Sequence, residues 1–319
     1  MTHELAIANG NRLYLPIVAD GVEWTTERRG VPGKLTFTAI KDAKLDFEEG
    51  NHVRYRVNDH DVFYGFVFTK RRNKDHEIEV TAYDQLRYLV NKDTKKFENM
   101  TASDIIQQLA SEFGLQAGEL DKTTFINESL VQMDTSLFDM IAAALDLELK
   151  NRGNMFVMYD DFGRITLRNI ENMRLKTLID SGTAEDFDYT STIDENTYNR
   201  VKLQCENKET GMNDTYVVQD GSNINRWGLL QYYGTLQEGE NGDVKAANLL
   251  ELYNAKTRKL RITKAIGDLR VRAGCLLPVI LNIGDMMMQN FMLCEKVTHE
   301  FEDGAHFMNI DLRGNGFDS

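Results

Sequence analysis

Long apolar runs are missing from this 319-residue sequence. No stretch approaches the ~18 consecutive apolar residues that a membrane-spanning helix needs. The first residues, Met1-Thr2-His3-Glu4-Leu5, carry no basic segment followed by an apolar core. They do not read as a secretory signal, and the chain is expected to fold in a cytoplasm. Cysteine is scarce. Cys205, Cys275 and Cys294 are odd in number and widely spaced, with no Cys-x-x-Cys pair, which argues against a disulfide framework or a zinc cage. They read as small buried hydrophobes. Proline occurs three times, so no Pro-rich linker keeps the domains apart, and they are expected to be closely joined. A basic excess is missing too. Net charge is −13, whereas a sequence-independent nucleic-acid binder needs a basic surface to displace counterions from phosphates.

What is present suits a globular protein. Hydrophobic residues at 42% and charged residues at 27% supply apolar material for real cores and exclude a disordered chain. At roughly 100–200 residues per domain, two or three domains are expected. The charge is uneven: residues 1–100 are net neutral, residues 101–190 carry −9 and residues 191–319 carry −4. Such an acidic excess keeps a protein soluble or meets a basic neighbour.

The first hundred residues alternate as strands do. In Lys34–Ile40, Leu35, Phe37 and Ala39 share one face. In His52–Val57, Val53, Tyr55 and Val57 point one way and His52, Arg54 and Arg56 the other. Val62–Phe68 and His76–Tyr83 follow, separated by polar turns. Short strands at regular spacing predict a barrel or sandwich. Near residue 100 the period changes. Thr101 and Asp104 have the spacing of a capping box, followed by a helical stripe of Ala102, Ile105, Ile106, Leu109, Ala110 and Phe113, with Gly114 as the stop. A second helix is predicted from Ser136, with Asp139 as the capping acid and Gly153 as the end. A hairpin turning at Asp160-Asp161-Phe162-Gly163 completes a small α+β module. Strands return with Asn199–Cys205. A polar, glycine-punctuated stretch from Glu206 to about Asp243 comes next, then a helix from Val244 to about Thr257. Further strands are predicted at 259–266, 267–283, 285–301 and 306–312. The fold class is mainly β with α+β. Two β-barrel domains, residues 1–98 and 186–319, flank a small α+β module at 99–185.

Motifs for chemistry are absent. The six histidines, His3, His52, His60, His76, His299 and His306, form neither HExxH nor a helical i, i+4 pair, and read as surface or strand residues. No GxSxG elbow, Walker A or GxGxxG sequence occurs. A glycosidase needs two carboxylates ~5–9.5 Å apart in a cleft. Of the acidic clusters, neither Glu48-Glu49, Asp160-Asp161 nor Asp186-Phe187-Asp188 is singled out as such a pair. No catalytic, cofactor-binding or metal-binding residue is assigned, and no cofactor is expected. Two segments remain as contact candidates. The basic run Lys70, Arg71, Arg72 and Lys74 reads as a solvated hairpin tip or as a contact with an acidic partner. The run around Met286, Met288 and Phe291 is apolar on both faces of a strand, which fits a core strand or an outer face covered by another subunit or domain.

A series of segments carries a resemblance across nearly the whole chain. In order they are Trp24-Thr25, Gly33–Phe37, Phe47–Gly50, Val62–Phe68, Val80–Leu89, the capped helix from Thr101, Asn199-Arg200-Val201, Trp227-Gly228, Gly267–Gly274 and Gly284-Asp285. In this order the sequence resembles the tail hub proteins of contractile phages and defective prophages of Gram-positive bacteria, the PBSX-type XkdQ/YqbQ group. That group belongs to the wider late-control gene D family, which is similar to the N-terminal part of type VI secretion spike proteins. Where the family commonly has an acid after the glycine near residue 50, this chain has Asn51, a departure that touches turn chemistry only.

The resemblance implies a non-enzymatic baseplate hub, assembled in the host cytoplasm and resident in the virion tail. The hub is a homotrimer in the tail, with the isolated chain able to be monomeric. Each chain gives two related barrels, and six barrels make a ring that joins the hexameric tail tube to the trimeric spike. Partners are the tube protein, the spike and other baseplate proteins. DNA or a tape-measure protein passes through without specific binding, so a neutral-to-acidic channel is expected; no membrane insertion is implied. Two other classes compete with the hub. A tail-associated cell-wall hydrolase lacks a motif here. A carbohydrate- or receptor-binding module would draw on Trp24, Trp227, Tyr232 and Tyr233, which also read as core.

Overall fold

The computed structural model describes residues 1–314 apart from 20, 181, 207–212, 237–239 and 283–286. Strands make up 51% of the chain and helices 19%, so the fold is mainly β. The first region consists of β1 (His3–Asn9), β2 (Arg12–Tyr14), β3 (Val22–Glu27), β4 (Lys34–Ile40), β5 (His52–Val57), β6 (His60–Arg72) and β7 (Glu77–Tyr83). The middle region holds β8 (Lys92–Met100), α1 (Ala102–Glu112), β9 (Ala117–Leu120), β10 (Asn127–Ser136), α2 (Leu137–Arg152), β11 (Phe156–Asp160) and β12 (Ile165–Asn169). The last region holds β13 (Ile179–Asp180), β14 (Asp186–Thr192), β15 (Arg200–Glu206), β16 (Asn213–Gln219), α3 (Gly221–Trp227), β17 (Gln231–Thr235), α4 (Gly242–Tyr253), β18 (Thr257–Ile266), β19 (Leu276–Asn282), β20 (Met287–Glu302) and β21 (Ala305–Gly314).

The alternating apolar residues of the first region all face one core. Leu35, Phe37, Ala39, Val53, Tyr55, Val57, Ile78, Val80 and Ala82 are buried there with Trp24. A second core, built from Leu260, Ile262, Leu277, Val279, Val297, Ile310 and Leu312, serves the last region. One sheet carries both cores, in the order β14-β18-β21-β20-β3-β4-β7-β6-β5-β1-β2. The join is β20, which is long enough for two jobs. Its first half pairs with β19 through Leu293, while Lys296–Phe301 pair with β3. Among the described residues no ring of strand pairs closes. The first region comes near to closure. Beyond β2 the chain crosses to β4, where the Ile40 N–H donates to the Ile17 carbonyl at 2.8 Å and Val18 bridges Ala39.

The middle region follows the capping signals. Thr101 and Asp104 form both halves of the capping box of α1. Ser136 caps α2, which ends at Gly153 in the left-handed conformation. Both helices bury Ile105, Ile106, Leu109, Leu137, Met140 and Ile141 against β11 and β12, each such side chain contributing ~1.5–3 kcal/mol. Two expectations need correction. The segment from Gly267 is not strand throughout: residues through Cys275 fold as a turn-rich loop, and strand begins only at Leu276. The polar stretch after Glu206 holds β16, α3 and β17. Its sheet packs Val201 and Leu203 against Ala246 and Leu249 of α4, using few large aliphatics, which is why the stretch reads as loop.

Candidate functional site: a buried polar junction

The loop from Gly267 to Cys275 lies over the β3–β20 seam and reaches the middle region. Asp268 shapes it. The Val271 N–H donates to the Asp268 carbonyl at 3.0 Å, and Arg270 Nη2 donates to the Asp268 carboxylate at 2.7 Å. That arginine holds the Asp268 carboxyl well below the usual carboxylate range. The Ala273 N–H then donates to Thr26 Oγ1 of β3 at 3.0 Å, in a buried bond. Gly274 has φ +97°, and a Cβ there would lie 2.6 Å from Val157 Cγ1 of β11. Only glycine meets both demands.

This loop aims Arg272 into the junction. Its guanidinium stacks on Tyr159, 3.8 Å from the ring centroid, and stands 5.9 Å from the Trp24 ring centroid. Arg272 Nη2 donates to the Asp160 carbonyl at 2.7 Å. Two carboxylates meet the same centre. Asp84, at the end of β7, accepts from the Gly33 N–H at 2.8 Å and the Leu86 N–H at 3.0 Å. A Cβ on residue 33 would stand 2.5 Å from Asp84 Oδ2, so the glycine permits the bond. Asp160 accepts from the Gly163 N–H at 2.7 Å and from Gln85 Nε2 at 2.9 Å, and Gln85 Oε1 accepts from the Gln116 N–H at 2.9 Å. Asp160 thus keeps its turn role while joining the middle region to the first. Burial raises the Asp84 carboxyl pKa, with Asp160 adding to the shift. Burial likewise pushes Asp160 up to about 6, against the Gly163 N–H, Gln85 and Arg272.

A histidine pair lies on the far side of the same loop. His299 is wholly buried on β20, opposite Trp24 in register, with ring centroids 4.7 Å apart. Its Nε2 lies 2.9 Å from the Val271 carbonyl, which can only accept, so Nε2 carries the hydrogen. Its Nδ1 therefore accepts from His306 Nε2 at 2.8 Å. Burial lowers His299 to about 3 and His306 to about 4, so both are neutral near pH 7. A separate clamp crosses the seam nearby. Arg28 donates to both oxygens of Glu295 at 2.7 and 2.9 Å, and Arg313 reaches the same carboxylate at 2.9 Å.

These groups hold regions of the chain together. Every oxygen of the Asp84 and Asp160 carboxylates already accepts a donor, and both ring nitrogens of His299 are engaged, by His306 Nε2 and the Val271 carbonyl. No group of three or more His, Cys, Asp or Glu side chains is placed to hold a metal ion among the described residues.

The sequence-predicted contact residues lie elsewhere. Lys70 is tucked in, its ammonium donating to the Phe47 carbonyl and sitting 4.9 Å from the Phe47 ring centroid. Arg71, Arg72 and Lys74 are exposed at the β6–β7 end, with Arg71 Nη1 3.3 Å from Glu79. Met286 and the side chain of Met288 lie outside the described residues. Phe291 is half-buried beside Met155 and Leu276, with the Arg174 guanidinium 4.7 Å from its ring centroid. Of the aromatic candidates, Trp24 is core, Tyr232 packs on Tyr253 and Tyr233 is exposed. Sequence reasoning missed Asp84, Gln85, Arg272 and His299 as a constellation. A usable signal existed, since Val80–Leu89 and Gly267–Gly274 are among the segments that carry the family resemblance.

The profile of the YqbQ-like family matches residues 22–313. The chain belongs to that family. It is 29% identical to the uncharacterized protein YqbQ of Bacillus subtilis over 94% of this chain and 93% of that one. It is 27% identical to the phage-like element PBSX protein XkdQ of the same organism, with the same coverage. Its fold is similar to that of the prophage MuSo2 43 kDa tail protein from Shewanella oneidensis, with a TM-score of 0.70 at 14% identity over 97% of this chain and 98% of that one. It is also similar to the E. coli c3393 protein, a component of the type VI secretion system, with a TM-score of 0.60 at 12% identity over 99% of this chain and 78% of that one. The junction is therefore a feature of a YqbQ-like chain on a fold shared with these proteins.

Proposed function

We propose that this chain is a structural hub of a phage tail baseplate, joining the tail tube to the central spike as a homotrimer and without catalysis. The observation that carries the reading is similarity along 94% of the chain to a protein of the phage-like element PBSX. The fold it shares with a prophage tail protein and a type VI secretion component adds to it. The junction fits such a part. A hub must pass force between tube and spike, and here buried polar bonds and one continuous sheet tie three regions of the chain together. In this reading the chain divides into barrel-like residues 1–98, the module 99–185 and a second barrel-like unit 186–319. Assembly takes place in the host cytoplasm, and the exposed Arg71, Arg72 and Lys74 meet an acidic baseplate partner. The passage for DNA or tape-measure protein is neutral to acidic.

Deleting the gene from its phage or prophage and imaging the lysate by electron microscopy tests this. The expected result is loss of complete tails, restored by the gene supplied in trans. Complete tails of normal length without the protein would refute it.

A further inference from the structure

The first region turns aromatic side chains away from its core. Strand register sets His52 of β5 beside Phe66 of β6, and Tyr64 lies on the same face at a strand's period of two. The His52 and Phe66 ring centroids are 4.7 Å apart, and Tyr64 Oη lies 2.9 Å from His52 Nδ1. The helical turn Gln85–Val90 after β7 adds Tyr88, edge-on to Phe66 with ring centroids 5.6 Å apart. Phe113, Leu115 and Gln116, just after α1, form the opposite wall. The tip of the β11–β12 hairpin closes one side, where a Cβ on Gly163 would lie 2.8 Å from Tyr64 Cδ1. These groups bound a cleft of about 440 Å³ between the first and middle regions, and region boundaries are preferred places for small-molecule sites. Tyr64, Phe66, Tyr88 and Phe113 are only half-buried, so their rings keep surface open to it.

Two features decide what such a cleft can hold. No Asp, Glu, Lys or Arg side chain lines it. Charged neighbours turn elsewhere, Glu112 to Lys95 at 2.5 Å and Arg87 to the Phe68 ring, 5.4 Å from its centroid. A charged ligand therefore finds no counter-charge. A purely apolar ligand would strand polar groups instead. The Tyr88 hydroxyl and the side-chain amides of Asn91 and Gln116 line the cleft and make no hydrogen bond among the described residues. Each amide offers a donor and an acceptor side by side, and neighbouring hydroxyls can answer both. The rings offer flat apolar faces, with a polar handle on tyrosine.

We propose that this cleft binds a short neutral saccharide, with C–H faces against the aromatic rings and hydroxyls on Asn91, Gln116 and the Tyr88 hydroxyl. The inference does not rest on the hub reading. A proline-rich peptide fits less well, because its carbonyls only accept and its prolines carry no N–H to answer the amide oxygens.

Saturation-transfer NMR on the full chain tests this, with maltotriose, cellotriose and tri-N-acetylchitotriose as probes and a proline-rich peptide as the rival. Transfer to the ring protons of at least one of these sugars is expected at millimolar concentration. Asn91→Ala and Tyr88→Phe should each weaken that binding about threefold to tenfold, as the loss of one hydrogen bond does. An unchanged melting temperature shows that each variant is folded. Transfer to none of the sugars, sugar binding that both variants leave unchanged, or binding of the peptide in their place overturns the proposal.

Discussion

The α1–α2 core and the Asp84–Asp160–Arg272 junction are both buried, yet they are held by opposite means. The helical core is apolar, aliphatic side chains packing with Phe97, Phe138 and Phe156, and it is tolerant of small shifts and indifferent to pH. The junction is built from ionisable groups and directional bonds, so one altered atom leaves another unsatisfied, and the buried Arg272 Nε already lacks a hydrogen-bond partner. The first arrangement makes a region stable, and the second fixes how regions sit against one another. Three single variants separate the two roles, and a double variant at an exposed end leaves both untouched.

The largest effect is expected in the core. Leu109→Ala removes a fully buried side chain and should cost about 2–5 kcal/mol in chemical denaturation, equally at pH 5 and pH 8. A strongly pH-dependent loss would show that the core is coupled to the junction's charges.

His299→Phe comes next. It strips the Val271 carbonyl and His306 Nε2 of a partner, which costs about 1–3 kcal/mol near pH 7. Histidines held at about 3 and about 4 contribute stability that is present above their ordinary value of 6.5 and lost as pH falls through the folded values. The variant should therefore lose less stability than the parent on acidification from pH 6.5 to 4. An unchanged acid limb would remove the histidine pair from the account.

Asp84→Asn tests the opposite sign. A carboxyl whose pKa is raised on folding contributes stability below its ordinary value of 3.8 that is lost as pH rises through the folded value, about 6 for Asp160. Neutralising Asp84 relieves Asp160, so stability should fall less steeply between pH 4 and 7 than in the parent. Parallel curves for the two proteins would count against coupling between the carboxyls.

The smallest effect on stability is expected at the exposed hairpin end. Arg71→Glu combined with Arg72→Glu should change stability by no more than about 0.5 kcal/mol, while tails fail to assemble in complementation. Normal tails from this variant would take the cationic end out of the partner surface.

The same contrast explains what could be read from the sequence. The core was legible because its signals are local. Thr101 and Asp104 are three residues apart, and the stripe from Ala102 to Phe113 repeats at helical period. The strands Lys34–Ile40 and His52–Val57 were legible through their alternation. The junction was not, because its bonds link residues 51, 75 and 112 positions apart. A lone aspartate after a strand looks like turn chemistry until the fold brings a second carboxylate beside it. The double role of β20 was hidden for a related reason, since no periodicity records which neighbour a strand takes along each half.

Cryo-electron microscopy of intact tails from a cell carrying this gene tests the central claim most directly. Density for three copies is predicted at the junction of tube and spike, with Arg272 between Tyr159 and Trp24 in each copy as it is here. Tails in which that position is filled by another protein, with this chain absent, would contradict the account.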